Sequence, residues 1–163
     1  PSLCTFVVRT AANGAPHLIV STGGMRPPPS AETAVAIEAE SGNWRSPDNL
    51  FVNGPKVFEF TLRVIPDCVA SLLAKSGKQM SEVDCFVFHQ ANRFMLDHLR
   101  QKLGVPAERF PIVLGDCGNT VSASIPIAMK EARETGQLQP GGLAMLVGFG
   151  VGYSWRATIA RWP

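Results

Sequence analysis

No apolar run in this 163-residue chain approaches the roughly 20 residues that a membrane-spanning helix needs. Charge of either sign is scarce. Only 17% of residues are charged and the formal net charge is +2, too little basicity to argue for a nucleic-acid partner. No two cysteines form a CxxC pair: Cys4, Cys68, Cys85 and Cys117 are far apart. That spacing excludes a zinc knuckle and gives no disulfide framework, so no metal is expected. Small buried thiols in a reducing, cytoplasmic setting are the plainer expectation. The chain opens Pro1-Ser2-Leu3-Cys4, with neither a signal peptide nor a methionine, and reads as part of something longer. Short internal repeats are absent, and acidic residues do not gather at strand ends, Asp116 excepted.

What is present is apolar substance, 45% of the residues, enough for one domain with a real core. Cys4 to Thr10 reads as a strand, and His17 to Ser21 as a second one paired with it across an Asn13-Gly14 turn. His17 is an ordinary edge histidine on this reading. Thr22 to Asn53 is irregular, broken by Gly23-Gly24 and Pro27-Pro28-Pro29. Ala34 to Glu40 could be extended, and Trp44 and Phe51 could anchor a loop that lines a pocket.

Pro55 to Lys75 predicts a helix. Phe58, Leu62, Ile65, Val69, Leu72 and Leu73 fall on one face, Pro66 should kink it, and Ser76-Gly77 should close it. Cys85 to Phe88 is a buried strand. A helix follows from Phe94 to Leu103, with Phe94, Met95, Leu99 and Leu103 inward and His98 exposed. Glu108 to Leu114 reads as another strand. Ser122 to Thr135 reads as a helix capped by its serines. Leu143 to Phe149 and Tyr153 to Arg161 are two antiparallel strands around a glycine-rich turn. Helices alternate with buried strands, so the class is α/β with a mainly parallel sheet.

Two polar steps stand at strand ends, where α/β folds place ligands. One is His89-Gln90-Ala91-Asn92; the other is Asp116-Cys117-Gly118-Asn119-Thr120. His89 and Asn119 could aim an imidazole Nε2–H and an amide Nδ2–H at one carbonyl oxygen. Such a pair would stabilise an enolate or a tetrahedral adduct. The glycines Gly148, Gly150 and Gly152 precede a strand, whereas a dinucleotide-binding turn opens a helix. They either let backbone N–H groups approach a substrate or simply make a tight turn; spacing leaves both open. Cys117 with a histidine suggests a thiol hydrolase. Its closeness to Asn119 makes it hard for Asn119 to orient His89 as a third member.

Three motifs then coincide. His89-Gln90-Ala91-Asn92, Gly118-Asn119-Thr120-x-x-Ala123-Ser124-Ile125-Pro126 and Gly148-Phe149-Gly150-x-Gly152-x-x-Trp155 stand in one order and spacing. Together they resemble the C-terminal half of a β-ketoacyl-acyl-carrier-protein synthase III. The resemblance runs from about Cys4 to the end, and Gly54-x-x-Val57-Phe58 is similar to the start of that family's pocket-lining helix. It implies one half of a thiolase-like fold over residues 1–163, with a mixed sheet between helices. It also implies a decarboxylative Claisen condensation of an acyl-coenzyme A with malonyl-acyl carrier protein, in fatty-acid or polyketide-type synthesis.

On that resemblance His89 and Asn119 hold the malonyl thioester oxygen. Asn92 and Ala91 lie near the pantetheine arm, Gly54 and Phe58 beside the tunnel, and Gly150 and Val151 at the acyl oxygen. No cofactor is implied beyond the two substrates. The implied partners are acyl carrier protein, acyl-coenzyme A, the chain's own N-terminal half and a second copy as a homodimer, with no nucleic acid and no membrane. The nucleophilic cysteine belongs to the N-terminal half, so this chain alone should be inactive. Two departures bear on this. Phe94 stands where the family often has a carrier-docking arginine, and Val151 replaces a glycine. An acyltransferase that does not condense, or an inactive partner half, are the alternatives.

Overall fold

A computed structural model describes residues 5–163. Strand β1 (Thr5–Thr10) is followed by a 3-10 turn and four two-residue strands. These are β2 (Leu18–Ile19), β3 (Ile37–Glu38), β4 (Trp44–Arg45) and β5 (Phe51–Val52). Helix α1 (Gly54–Ser76), strand β6 (Cys85–Phe88), helices α2 (Arg93–Leu103) and α3 (Ser124–Glu134), and strands β7 (Leu143–Gly150) and β8 (Ser154–Arg161) complete the chain. Cys4 lies outside the described residues.

The main sheet has the order β1-β8-β7-β6. The expected α/β class with a mixed sheet between helices is found, but the parallel share is smaller than expected. Only β6 and β7 run parallel, while β7–β8 and β1–β8 are antiparallel. Strand alternation sorts the side chains into two layers. Phe86, Phe88, Met145, Val147, Ala157 and Ile159 pack with α1 and α2 residues such as Ile65, Leu72 and Leu96. Cys85, Val87 and Ala144 face Ala128 and Ala132 of α3 on the other side. All four residues of β6 are therefore buried, which is why they read as an unbroken apolar run.

The helices follow their local chemistry. Asn53 caps α1 by accepting the Lys56 N–H at 3.1 Å, and Gly77 ends it at φ 67°. Pro66 lies inside α1, which is one continuous helix, and its ring cannot donate to the Leu62 carbonyl four residues back. Lys102 of α2 fills that vacancy, its Nζ donating to Leu62 O at 2.8 Å.

Five expectations are corrected. The strand at residue 18 does not pair with β1. It pairs with β5 over two residues, while β1 finds six partners along β8. A ladder that long buries Val7; a two-residue strand cannot. Trp44 is 68% exposed and anchors nothing, and Phe94 is 63% exposed. Helix α2 turns Met95, Leu96 and Leu99 inward, so Phe94 sits beside that stripe, stacks on Phe58 at 5.2 Å and packs at a tilt against His98 at 4.2 Å. His98 is thus half-buried rather than exposed. The fifth correction is residues 108–114, which form no strand. Pro111 has no N–H to offer a ladder, and the Gln90 side chain stands in for a strand partner. Its Nε2 donates to Phe88 O at 2.7 Å and Pro111 O at 3.4 Å, and its Oε1 accepts the Val113 N–H at 2.7 Å.

Candidate active site

β6 ends on His89, whose backbone N–H continues the ladder by donating to Val147 O at 2.8 Å. The strand thereby delivers the imidazole to the sheet edge. Phe149, near the end of β7, packs edge-on against that ring with centroids 5.3 Å apart. From the other side comes the start of α3. Nδ1 of His89 lies 2.7 Å from the Ser124 hydroxyl, which also lies 2.8 Å from the Val121 carbonyl. Burial pushes the His89 imidazole below the usual histidine range, and a hydrogen bond to the Val121 backbone opposes that shift. Burial therefore favours the neutral form of the ring.

Asn119 joins the same cluster through Val121. Its Oδ1 accepts the Val121 N–H at 2.9 Å, which commits the oxygen and leaves the amide NH₂ free to donate. Val121 itself adopts φ 54°, a left-handed conformation that is rare for a β-branched residue. Such strain gathers at functional sites. His89 and Asn119, paired in the sequence, are thus linked through Ser124 and Val121.

The other predicted site residues are placed as follows. Asn92 caps α2, its Oδ1 accepting the Met95 N–H at 2.8 Å. Ala91 and Phe58 pack against the main core cluster. Gly54 opens α1 with empty space where a Cβ would stand, one turn before Phe58. Gly150 closes β7 opposite Ser154, and Val151 is 65% exposed at the turn. None of these six residues makes a hydrogen bond to the His89 side chain.

Cys117 does not fit a hydrolase. Its Sγ lies 3.8 Å from the Val113 and Gly118 carbonyls and makes no hydrogen bond to His89. Cys68 and Cys85 are buried, with the Cys85 thiol pushed up to about 11 by burial first and Asp84 second. The long excursion does line an open cleft, of about 830 Å³, between Ile37, Glu38, Arg45, Ser46 and Phe51. No predicted site residue lines it.

Sequence reasoning missed Ser124 and Gln90. The serines after Asn119 were expected to cap α3; no side chain caps it, and Ser124 turns to His89 instead. Gln90 is 1% exposed, and in sequence it is one more polar residue at a strand end. Nothing local distinguishes it from a ligand-facing amide.

Residues 73–162 match the family described as 3-Oxoacyl-[acyl-carrier-protein (ACP)] synthase III C terminal. A β-ketoacyl-[acyl-carrier-protein] synthase III from Synechocystis sp. is 33% identical over 161 residues, which is 99% of this chain and 47% of the relative. Its counterpart from Symbiobacterium thermophilum is 36% identical over 146 residues, 90% of this chain and 42% of the relative. A crystal structure of a 3-oxoacyl-(acyl-carrier-protein) synthase III superposes with a TM-score of 0.93 at 46% identity, covering 96% of this chain and 47% of that one. The Thermus thermophilus enzyme gives 0.78 at 33% identity, covering 98% and 46%. The chain spans about half the length of these relatives. With a thiolase-like fold and a match over more than half its residues, the chain belongs to the family of 3-oxoacyl-[acyl-carrier-protein] synthase III C-terminal domains.

Proposed function

We propose that this chain is the enolate-stabilising half of a condensing enzyme that joins an acyl-coenzyme A to malonyl-acyl carrier protein. The observation that carries the reading is the His89–Ser124–Val121–Asn119 cluster, in which burial favours a neutral imidazole and the Asn119 amide NH₂ is not spent on the backbone. Two donors can meet one thioester oxygen there. When the malonyl carboxylate leaves as carbon dioxide, the electron pair of the broken C–C bond moves onto that oxygen as an enolate. The enolate carbon then attacks an acyl thioester, and its sulfur leaves as thiolate.

The acyl-carrying cysteine belongs to an N-terminal half that completes the pocket. Cys117 lacks a base, and Cys68 and Cys85 are buried. A face of the sheet supports that partner. Val7 points toward α1, so Phe6 and Val8 alternate away from it, and they are 58% and 46% exposed at the edge of the sheet farthest from α3. A homodimer of two-half protomers in the cytoplasm, with no cofactor, is the assembly proposed. Carrier-protein docking at the α2 start would rest on Arg93 and the Phe58–Phe94 stack, with Phe94 in place of a cation.

The test is made in the protein that carries both halves. His89→Ala and Asn119→Ala should each slow malonyl decarboxylation by on the order of 100- to 1,000-fold while leaving acylation of the upstream cysteine intact. Acylation is read by intact mass after exposure to acyl-coenzyme A. Near-parental decarboxylation in either variant would remove the pair from the mechanism. Acyl transfer to an alcohol or amine without any malonyl donor would instead favour a non-condensing acyltransferase.

A further inference from the structure

Ser124 is the first residue of α3, yet its hydroxyl caps no helix. It is 2% exposed and reaches three polar groups: His89 Nδ1 at 2.7 Å, Val121 O at 2.8 Å and the Gln90 N–H at 3.3 Å. A hydroxyl has one proton and two lone pairs. The Gln90 N–H occupies one lone pair. The proton then has two takers, Nδ1 and the Val121 carbonyl.

A neutral imidazole carries its one proton on either nitrogen, and the hydroxyl decides which. If the hydroxyl donates to Val121 O, the imidazole must give an Nδ1–H to Oγ, and Nε2 is bare. If the hydroxyl donates to Nδ1, the imidazole proton sits on Nε2. Only the second arrangement gives Nε2 a hydrogen bond to donate.

Two features favour it. The Ser124 hydroxyl stands nearer to Nδ1, at 2.7 Å, than to the Val121 carbonyl, at 2.8 Å, and that carbonyl lies on an exposed turn residue. Asn119 already spends its oxygen on the Val121 N–H, so its free group is a donor. A second group converging on the same oxygen has to be a donor too. We infer that Ser124 donates its hydroxyl proton to His89 Nδ1 and thereby keeps the imidazole proton on Nε2. Ser124 is then a positioning residue: it acts through His89 and touches no substrate. The assignment rests on the reading of His89 as the enolate's donor.

Long-range ¹H–¹⁵N spectra of the ¹⁵N-histidine-labelled protein read the tautomer directly. His98 supplies an internal standard. Its Nδ1 lies 2.8 Å from the Phe94 carbonyl, which only accepts, so its proton is on Nδ1. His89 is expected to show the opposite pattern, with the proton on Nε2. In Ser124→Ala the Val121 carbonyl becomes the remaining partner and His89 switches to Nδ1–H. The His98 signals stay in place and report an intact fold. Ser124→Thr restores the hydroxyl and the Nε2–H form.

An Nδ1–H tautomer in the unmodified protein overturns the inference, and so does an unchanged tautomer in Ser124→Ala. If that variant fails to fold, the tautomer of the unmodified protein still decides. In the two-half protein, Ser124→Ala should lower kcat for malonyl decarboxylation on the order of 100-fold with KM nearly unchanged, and Ser124→Thr should recover it. A tautomer switch with undiminished decarboxylation would leave the hold of Ser124 on His89 standing and remove the enolate role of His89.

Discussion

At the scale of single residues, His89 and Gln90 are neighbours with opposite fates. Burial lowers the proton affinity of His89 below the ordinary histidine value of 6.5. The unfolded chain therefore binds that proton more readily than the folded one. The stability contributed by neutral His89 is fully present above about 6.5 and is lost as pH falls from there through the folded value. The urea midpoint should drop between about pH 7.5 and about pH 5.5, and the drop should shrink in His89→Gln. An equal drop in both proteins would contradict the assignment. Gln90 instead spends its whole amide on the backbone of β6 and of residues 111–113. Gln90→Met keeps the volume and removes those bonds, leaving the Val113 N–H and Phe88 carbonyl unpaired. A loss of about 2–3 kcal/mol in chemical denaturation is expected. A loss below about 0.5 kcal/mol would mean that solvent replaces those bonds.

At the scale of elements, α1 and α2 are joined by more than apolar contact. Pro66 orphans the Leu62 carbonyl, and Lys102 supplies the missing donor from the neighbouring helix. Lys102→Met should cost about 1 kcal/mol in the native chain. In a Pro66→Ala background the cost should nearly vanish, because residue 66 then regains an N–H for that carbonyl. A double-mutant cycle by urea denaturation measures the coupling, and additive effects would exclude the link. The periodicity of α1 predicted its length and its buried face well, since both are local properties. Its partner across the proline had no local signature, because Lys102 lies 40 residues downstream.

At the scale of the whole molecule, the sheet is covered evenly on one side and only partly on the other. Helix α1 spans β1 and β8, whereas α3 lies over β6. Phe6 and Val8 are left outside that cover. Phe6→Thr should therefore change the stability of this chain by no more than about 0.5 kcal/mol. It should nonetheless weaken binding of the proposed N-terminal half, measured by titrating one half into the other. Unchanged affinity would place the partner on a different surface.

Much of this was legible from residues in order. Period and capping residues located α1, α2, β6, β7 and β8, because hydrophobic spacing and helix ends are decided within a few residues. The motifs around His89 and Asn119 marked the candidate site and pointed to the family. Tertiary structure alone decided the rest. It paired β1 with β8 across the length of the chain rather than with the nearby strand, since only the longer ladder buries Val7. It turned residues 108–114 from a strand into a segment tied by Gln90, and it moved Ser124 from a presumed cap to the His89 ring. Each of these depends on which polar group finds a partner once the layers have closed. That choice is made between residues far apart in sequence, where local pattern carries no information.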